Sequence, residues 1–96
     1  MKTFNEVKIG DSVWFWYPRF GDKVNCIHET EVIDIIQEFD VYHFYLGYHS
    51  HNGDKITDLI NIHKDNMGLT HTSIGDDFHL FTTKDGAVKF DWERNK

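Results

Sequence analysis

Lys8-Ile9-Gly10-Asp11-Ser12-Val13-Trp14-Phe15-Trp16-Tyr17 is a turn followed by the most apolar run of the chain. Gly10 can take a positive φ, and Asp11 can bond the backbone of its own turn. The run after it is β-branched and aromatic with both faces apolar, which reads as a strand covered on two sides. That reading decides the fold. A strand from Ser12 to Tyr17 needs partners in its plane and a cover on each face, and the rest of the chain has to supply them.

Pro18 ends this strand, because proline cannot donate to a ladder. Tyr17 to Lys23 reads as a loop. A second strand runs from Val24 to about Gln37. Val32 and Ile35 both belong to the core, yet strict alternation puts them on opposite faces. A β-bulge near Ile33-Asp34 reconciles them and bends the strand. Glu38-Phe39-Asp40 is a tight turn, and Val41 to Tyr48 returns as an antiparallel partner with Tyr42, Phe44, Leu46 and Tyr48 on one face.

His49 to Asp54 holds Asn52-Gly53, a strong hairpin signal. Lys55 to His63 is then a fourth strand, although its apolar spacings also fit a helix. Lys64 to Gly68 is a further turn. Ile74-Gly75-Asp76-Asp77 leads into a short strand, Phe78 to Phe81. Thr83 is placed to cap a final helix to about residue 94. Ala87 and Phe90 should face the sheet, with Val88 and Trp92 as a second apolar row. Short antiparallel strands with turns between them predict a mainly β chain: one domain over residues 1–96, a small barrel over about 4–81 and one C-terminal α-helix.

The 96 residues are 40% hydrophobic and 16% aromatic, enough for a core. The formal net charge of −6 counts against phosphate neutralisation and against an anionic membrane surface. It fits a basic protein partner or the imitation of nucleic acid. Cys26 is the single cysteine, so no intramolecular disulfide forms, and the chain suits a reducing compartment. Met1 to Glu6 has no apolar core of signal-peptide length and no run approaches a membrane span. A cytoplasmic protein is the expectation.

Gly10-Asp11-Ser12-Val13 resembles the opening of Src-homology-three-like and Tudor-like barrels. Ile74-Gly75 followed by Phe81-x-Thr83-x-x-Gly86-Ala87 resembles an ending, Ile-Gly then Phe-x-Thr-x-x-Glu-Ala, of small uncharacterised proteins of phages and other mobile elements. Gly86 stands where that pattern has glutamate. The resemblance implies a Src-homology-three-like barrel with a capping helix and a phage or mobile-element setting. It implies no catalytic residue.

No motif with a catalytic mechanism is present, so a non-enzymatic protein without a cofactor is expected. Trp16, Tyr17 and Phe20 flank the first loop and are the candidates for an exposed aromatic patch; with Trp14, Tyr42 and Tyr45 they would form a peptide groove. Glu29, Glu31, Asp34, Glu38 and Asp40 run along one hairpin and are the candidate surface for a basic partner. Inhibition of a host defence nuclease is one concrete form of that function. Two alternatives remain. A nucleic-acid-binding barrel would need Arg19, Lys23, Lys55 and Lys64 on one face. A metal module would use Cys26-x-His28 and His49-x-His51, each pair on one face of a strand. A Cys26 nucleophile with a histidine base and Glu29 can also be drawn.

Overall fold

The computed structural model describes residues 2–18, 26–50, 52–75 and 77–94. Six antiparallel strands form one sheet in the order β4-β3-β2-β1-β6-β5. They are β1 (Ser12–Trp16), β2 (Ile27–Glu38), β3 (Val41–His49), β4 (Lys55–His63), β5 (His71–Gly75) and β6 (Phe78–Phe81). A helix, α1 (Lys84–Arg94), closes the described chain. The strand reading of 55–63 holds. Within β4, Ile56, Asp58, Ile60 and Ile62 point inward and Leu59 outward, the period of two that a helix lacks.

β1 lies at the centre, as its two apolar faces require. Val13 and Phe15 face the inner core, and Trp14 and Trp16 face α1. The ladder between β2 and β3 shifts between Val32 and Asp34, so the expected bulge is present. Ile33 is the extra residue. Its side chain folds over Gly47, where a Cβ would sit 2.5 Å from Ile33 Cδ1. The Gly10-Asp11 turn is bonded to β2 at the same place: Gly10 N–H donates to Val32 O and Val32 N–H to Asp11 O, both at 2.8 Å. Gly10 has φ +97°. Asp11 Oδ2 accepts from Lys2 Nζ at 2.6 Å and from Lys8 N–H at 2.8 Å. The Lys2 bond, then the Lys8 N–H, hold its carboxyl below the ordinary value.

The sheet curls into half a barrel rather than closing. β4 and β5 are its edges. The chain between them makes a 3₁₀ turn over Lys64–Asn66, and the carbonyls that follow are taken by the N-terminal segment. Phe4 N–H donates to Leu69 O at 3.0 Å and Asn5 N–H to Met67 O at 2.8 Å. Phe4, Val7 and Met67 plug this end of the half-barrel against Phe44, Leu46, Ile62 and Leu80. Phe4 meets Phe44 edge to face, centroids 6.4 Å apart.

α1 covers the outer face of β1 and β6. Thr83 Oγ1 accepts from Gly86 N–H at 3.2 Å, which is the expected cap. Ala87 is buried and Phe90 packs on Trp16 and Phe81. The second row stays largely open to solvent. Val88 is exposed and Trp92 is 64% exposed, because the helix touches the sheet along one stripe. The strand β5 is absent from the sequence reading: His71-Thr72-Ser73 is polar and shows no apolar alternation.

Candidate functional site

The two faces of the sheet carry different chemistry. On the outer face, α1 leaves β2, β3 and β4 uncovered. The register places Glu29 and Glu31 outward, opposite the inward Thr30 and Val32. Beyond the bulge, Asp34, Ile36 and Glu38 are outward and Ile35 inward. The extra residue is what keeps Glu31 and Asp34 on one face. In a regular strand, residues three apart point to opposite sides. Ile33, Ile36 and Leu59 are exposed beside these carboxylates, and Tyr45 lies between Asp34 and Leu59 in the ladders. Glu38 Oε2 is 3.7 Å from His43 Nε2. Asp40 sits in the β2–β3 turn, where its Oδ1 is 3.4 Å from Lys64 Nζ and its carbonyl accepts from Lys64 N–H at 2.7 Å.

Trp16 is not part of an exposed patch. It is 3% exposed, its Nε1 donates to Asp91 Oδ1 at 3.0 Å, and Arg94 lies over its ring at 5.2 Å. The cover expected for β1 is α1, and it lands on this residue. Tyr17 is half-buried, packed against the Trp16 cluster and beside Phe78, and Phe20 lies outside the described residues. Trp14 packs near α1, Tyr42 packs on the inner core and Tyr45 is on the outer face. The five described aromatics therefore form no single groove.

Of the Cys26, His28, His49 and His51 set, the three described members do not converge. Cys26 precedes β2, so alternation does not extend to it, and it is buried with Trp16, Phe81 and Ala87 on the helix side. His28 faces inward against Tyr48, centroids 4.9 Å apart. His49 is exposed and His51 lies outside the described residues. Among the described residues, no cluster of three or more His, Cys, Asp or Glu side chains is placed to hold a metal ion. A Cys26–His28–Glu29 constellation is likewise split, with Glu29 exposed on the outer face. Lys55 opens β4 and Lys64 follows its end, about 30 Å apart along an extended strand, so these two cations do not cluster. Arg19 and Lys23 lie outside the described residues.

The inner face holds a feature the sequence reading lacks. At the end away from the Phe4 plug, the half-barrel opens into a cavity of about 540 Å³. Its walls are the end of β1 (Phe15, Tyr17), the start of β2 (His28), the end of β3 (Tyr48), β4 (Asp58, Ile60), Ile74 of β5 and Phe78 of β6. Tyr48 Oη donates to Asp58 Oδ2 at 2.7 Å. Burial, then this bond to a carboxylate, push the Tyr48 phenol up to about 12. Ser50 is also a lining residue, but its Oγ is shielded from solvent and has no hydrogen-bond partner among the described residues. One sequence signal pointed here. Asp58 occupies the inward phase of Ile56, Ile60 and Ile62, a carboxylate where the pattern calls for an apolar residue.

A second cluster joins sheet to helix. His71 Nε2 is 2.8 Å from His79 Nδ1, and Phe81 stacks on His71 with centroids 4.2 Å apart. Phe90 of α1 lies against both imidazoles. Among the described residues no helix is long and apolar enough to cross a membrane. Comparison with protein-family models, with curated proteins and with solved structures found no match to this chain.

Proposed function

We propose that this chain is a non-enzymatic protein-binding module that presents the uncovered outer face of β2, β3 and β4 to a basic partner. One observation carries the reading. The bulge at Ile33 gathers Glu29, Glu31, Asp34 and Glu38 on one side of a single strand, with Ile33, Ile36 and Leu59 exposed among them. Aligned carboxylates steer a cationic partner, and the apolar side chains between them supply area to bury once it docks. Under this reading the fold is a relative of the Src-homology-three-like barrels, encoded by a phage or mobile element. The partner is a defence nuclease whose nucleic-acid groove receives the acidic face in place of a phosphate track.

The test is direct capture. Purified basic nucleases from bacterial defence systems are immobilised and the chain is titrated over them. Saturable binding that weakens as NaCl rises and is competed by DNA is the expected result. Glu29→Gln, Glu31→Gln and Asp34→Asn together abolish it. Cys26→Ala with His28→Ala leaves it intact. Capture retained by the first variant and lost by the second overturns the reading.

A further inference from the structure

The cavity on the inner face is on the opposite side of the sheet from the acidic patch and has its own chemistry. Four aromatic side chains, Phe15, Tyr17, Tyr48 and Phe78, wall it, and Asp58 supplies a carboxylate. Neither lysine nor arginine is among the described residues that line it. Its volume suits a small molecule rather than a polypeptide chain. The imidazoles of His28 and His49 are the only described lining groups able to carry positive charge, so a phosphorylated or carboxylated ligand meets no fixed counter-charge there. A cation meets a carboxylate, the electron-rich faces of aromatic rings and a chain of net charge −6.

The polar groups narrow the class further. Asp58 uses one oxygen, Oδ2, to accept from Tyr48 Oη. Its other oxygen is left for a ligand, and a carboxylate in an aromatic cavity asks for a ligand that donates N–H bonds and carries positive charge.

We propose that this cavity binds an organic ammonium: a protonated primary or secondary amine on an apolar body of about aromatic-ring size. The ammonium donates to the Asp58 carboxylate, and the body lies among Phe15, Tyr17 and Phe78. The proposal does not depend on the acidic face.

Three ligands of one shape and different charge test it on the wild-type chain: 2-phenylethylamine, 2-phenylethanol and 3-phenylpropionate. Amide chemical shifts are followed by NMR during each titration. The amine saturates, with shifts at Tyr48, Ser50, Asp58 and Phe78. The alcohol binds about tenfold more weakly, the difference expected of a charge-assisted hydrogen bond, and the carboxylate leaves the spectrum unchanged. Asp58→Asn removes the preference for amine over alcohol. Tyr48→Phe, which leaves the carboxylate in place, keeps it. Equal affinity for amine and alcohol, preference for the carboxylate, or no shift with any of the three overturns the proposal, and each of these is read on the wild-type chain.

Discussion

His71 Nε2 and His79 Nδ1 lie 2.8 Å apart on neighbouring strands, beneath Phe90 of the helix. One ring must offer a lone pair to the other, so the contact does not survive when both are charged. Both imidazoles are held below the ordinary value of 6.5. Burial is the first cause in each. The neighbouring imidazole adds to it at His71, and Arg94 at His79, where Asp77 opposes. The unfolded chain, with ordinary histidines, therefore binds more protons as pH falls, and acid favours unfolding. This stabilisation is whole above pH 6.5 and is lost as pH falls through 6.5 toward the folded-state values. The melting temperature should drop between pH 7.5 and 5.5. In a His71→Phe, His79→Phe variant the slope over that window should be shallower. Equal slopes would rule out the pair as the source.

Phe90 and Trp92 sit two residues apart on α1 with opposite fates. Phe90 meets Trp16 edge to face at 4.9 Å and also touches Phe81. Phe90→Ala should cost about 3 kcal/mol, the low end for a truncated phenylalanine because the ring is only partly covered. Trp92→Ala should stay within about 1 kcal/mol, as exposed positions do. Chemical denaturation of both variants gives the comparison. A larger loss for Trp92→Ala would mean that the helix is held by its other face.

Phe39 has φ 54° in the β2–β3 turn and is 90% exposed. That region suits glycine, and a bulky side chain is strained there. Phe39→Gly should relieve more than the added flexibility of the unfolded chain costs, a net gain of about 0.5–1 kcal/mol. For a domain this size, 1 kcal/mol corresponds to a rise of about 4–8 °C in melting temperature. An unchanged or lower melting temperature would contradict this.

Deleting Ile33 should leave the sheet folded. Val32 opposes Leu46 and Asp34 opposes Tyr45, consecutive residues of β3, so removing the residue between them makes the ladder regular and keeps Asp34 and Glu38 outward and Ile35 inward. Circular dichroism should show the strand signal retained. Loss of the folded sheet would mean that the bend supplied by the extra residue is required.

Much of this fold is legible in the sequence wherever two physical requirements meet at one place. The odd separation of Val32 and Ile35 demands a bulge. Asn52-Gly53 demands a hairpin, and Gly53 takes φ 84° there. Thr83 demands a helix start. β5 escapes because an edge strand of polar residues has no period to read. Trp16 is instructive in another way. Its own run reads as a strand covered on both faces, and that reading already excludes an exposed Trp16. The aromatic patch contradicts it locally, and the covering helix decides between them. The cavity was written in a single residue, Asp58, a carboxylate in the inward phase of its strand. Its other walls come from five different strands, and only the curl of the sheet brings them together.

The N-terminal plug ties the chain's beginning to its last strands. Lys2 O accepts from Thr82 Oγ1 at 2.6 Å, across eighty positions of sequence. Phe4 takes its place in the core only beside Phe44 and Met67. Closing so long a loop costs entropy that no local contact returns, and folding rates fall as contacts become more distant in sequence. During synthesis the segment from Lys2 to Val7 waits for Thr82 and the strands before it to emerge before it can settle. Until then the inner wall around Phe44 and Leu46 stands bare to water, the interval in which such a chain is most prone to associate with its neighbours.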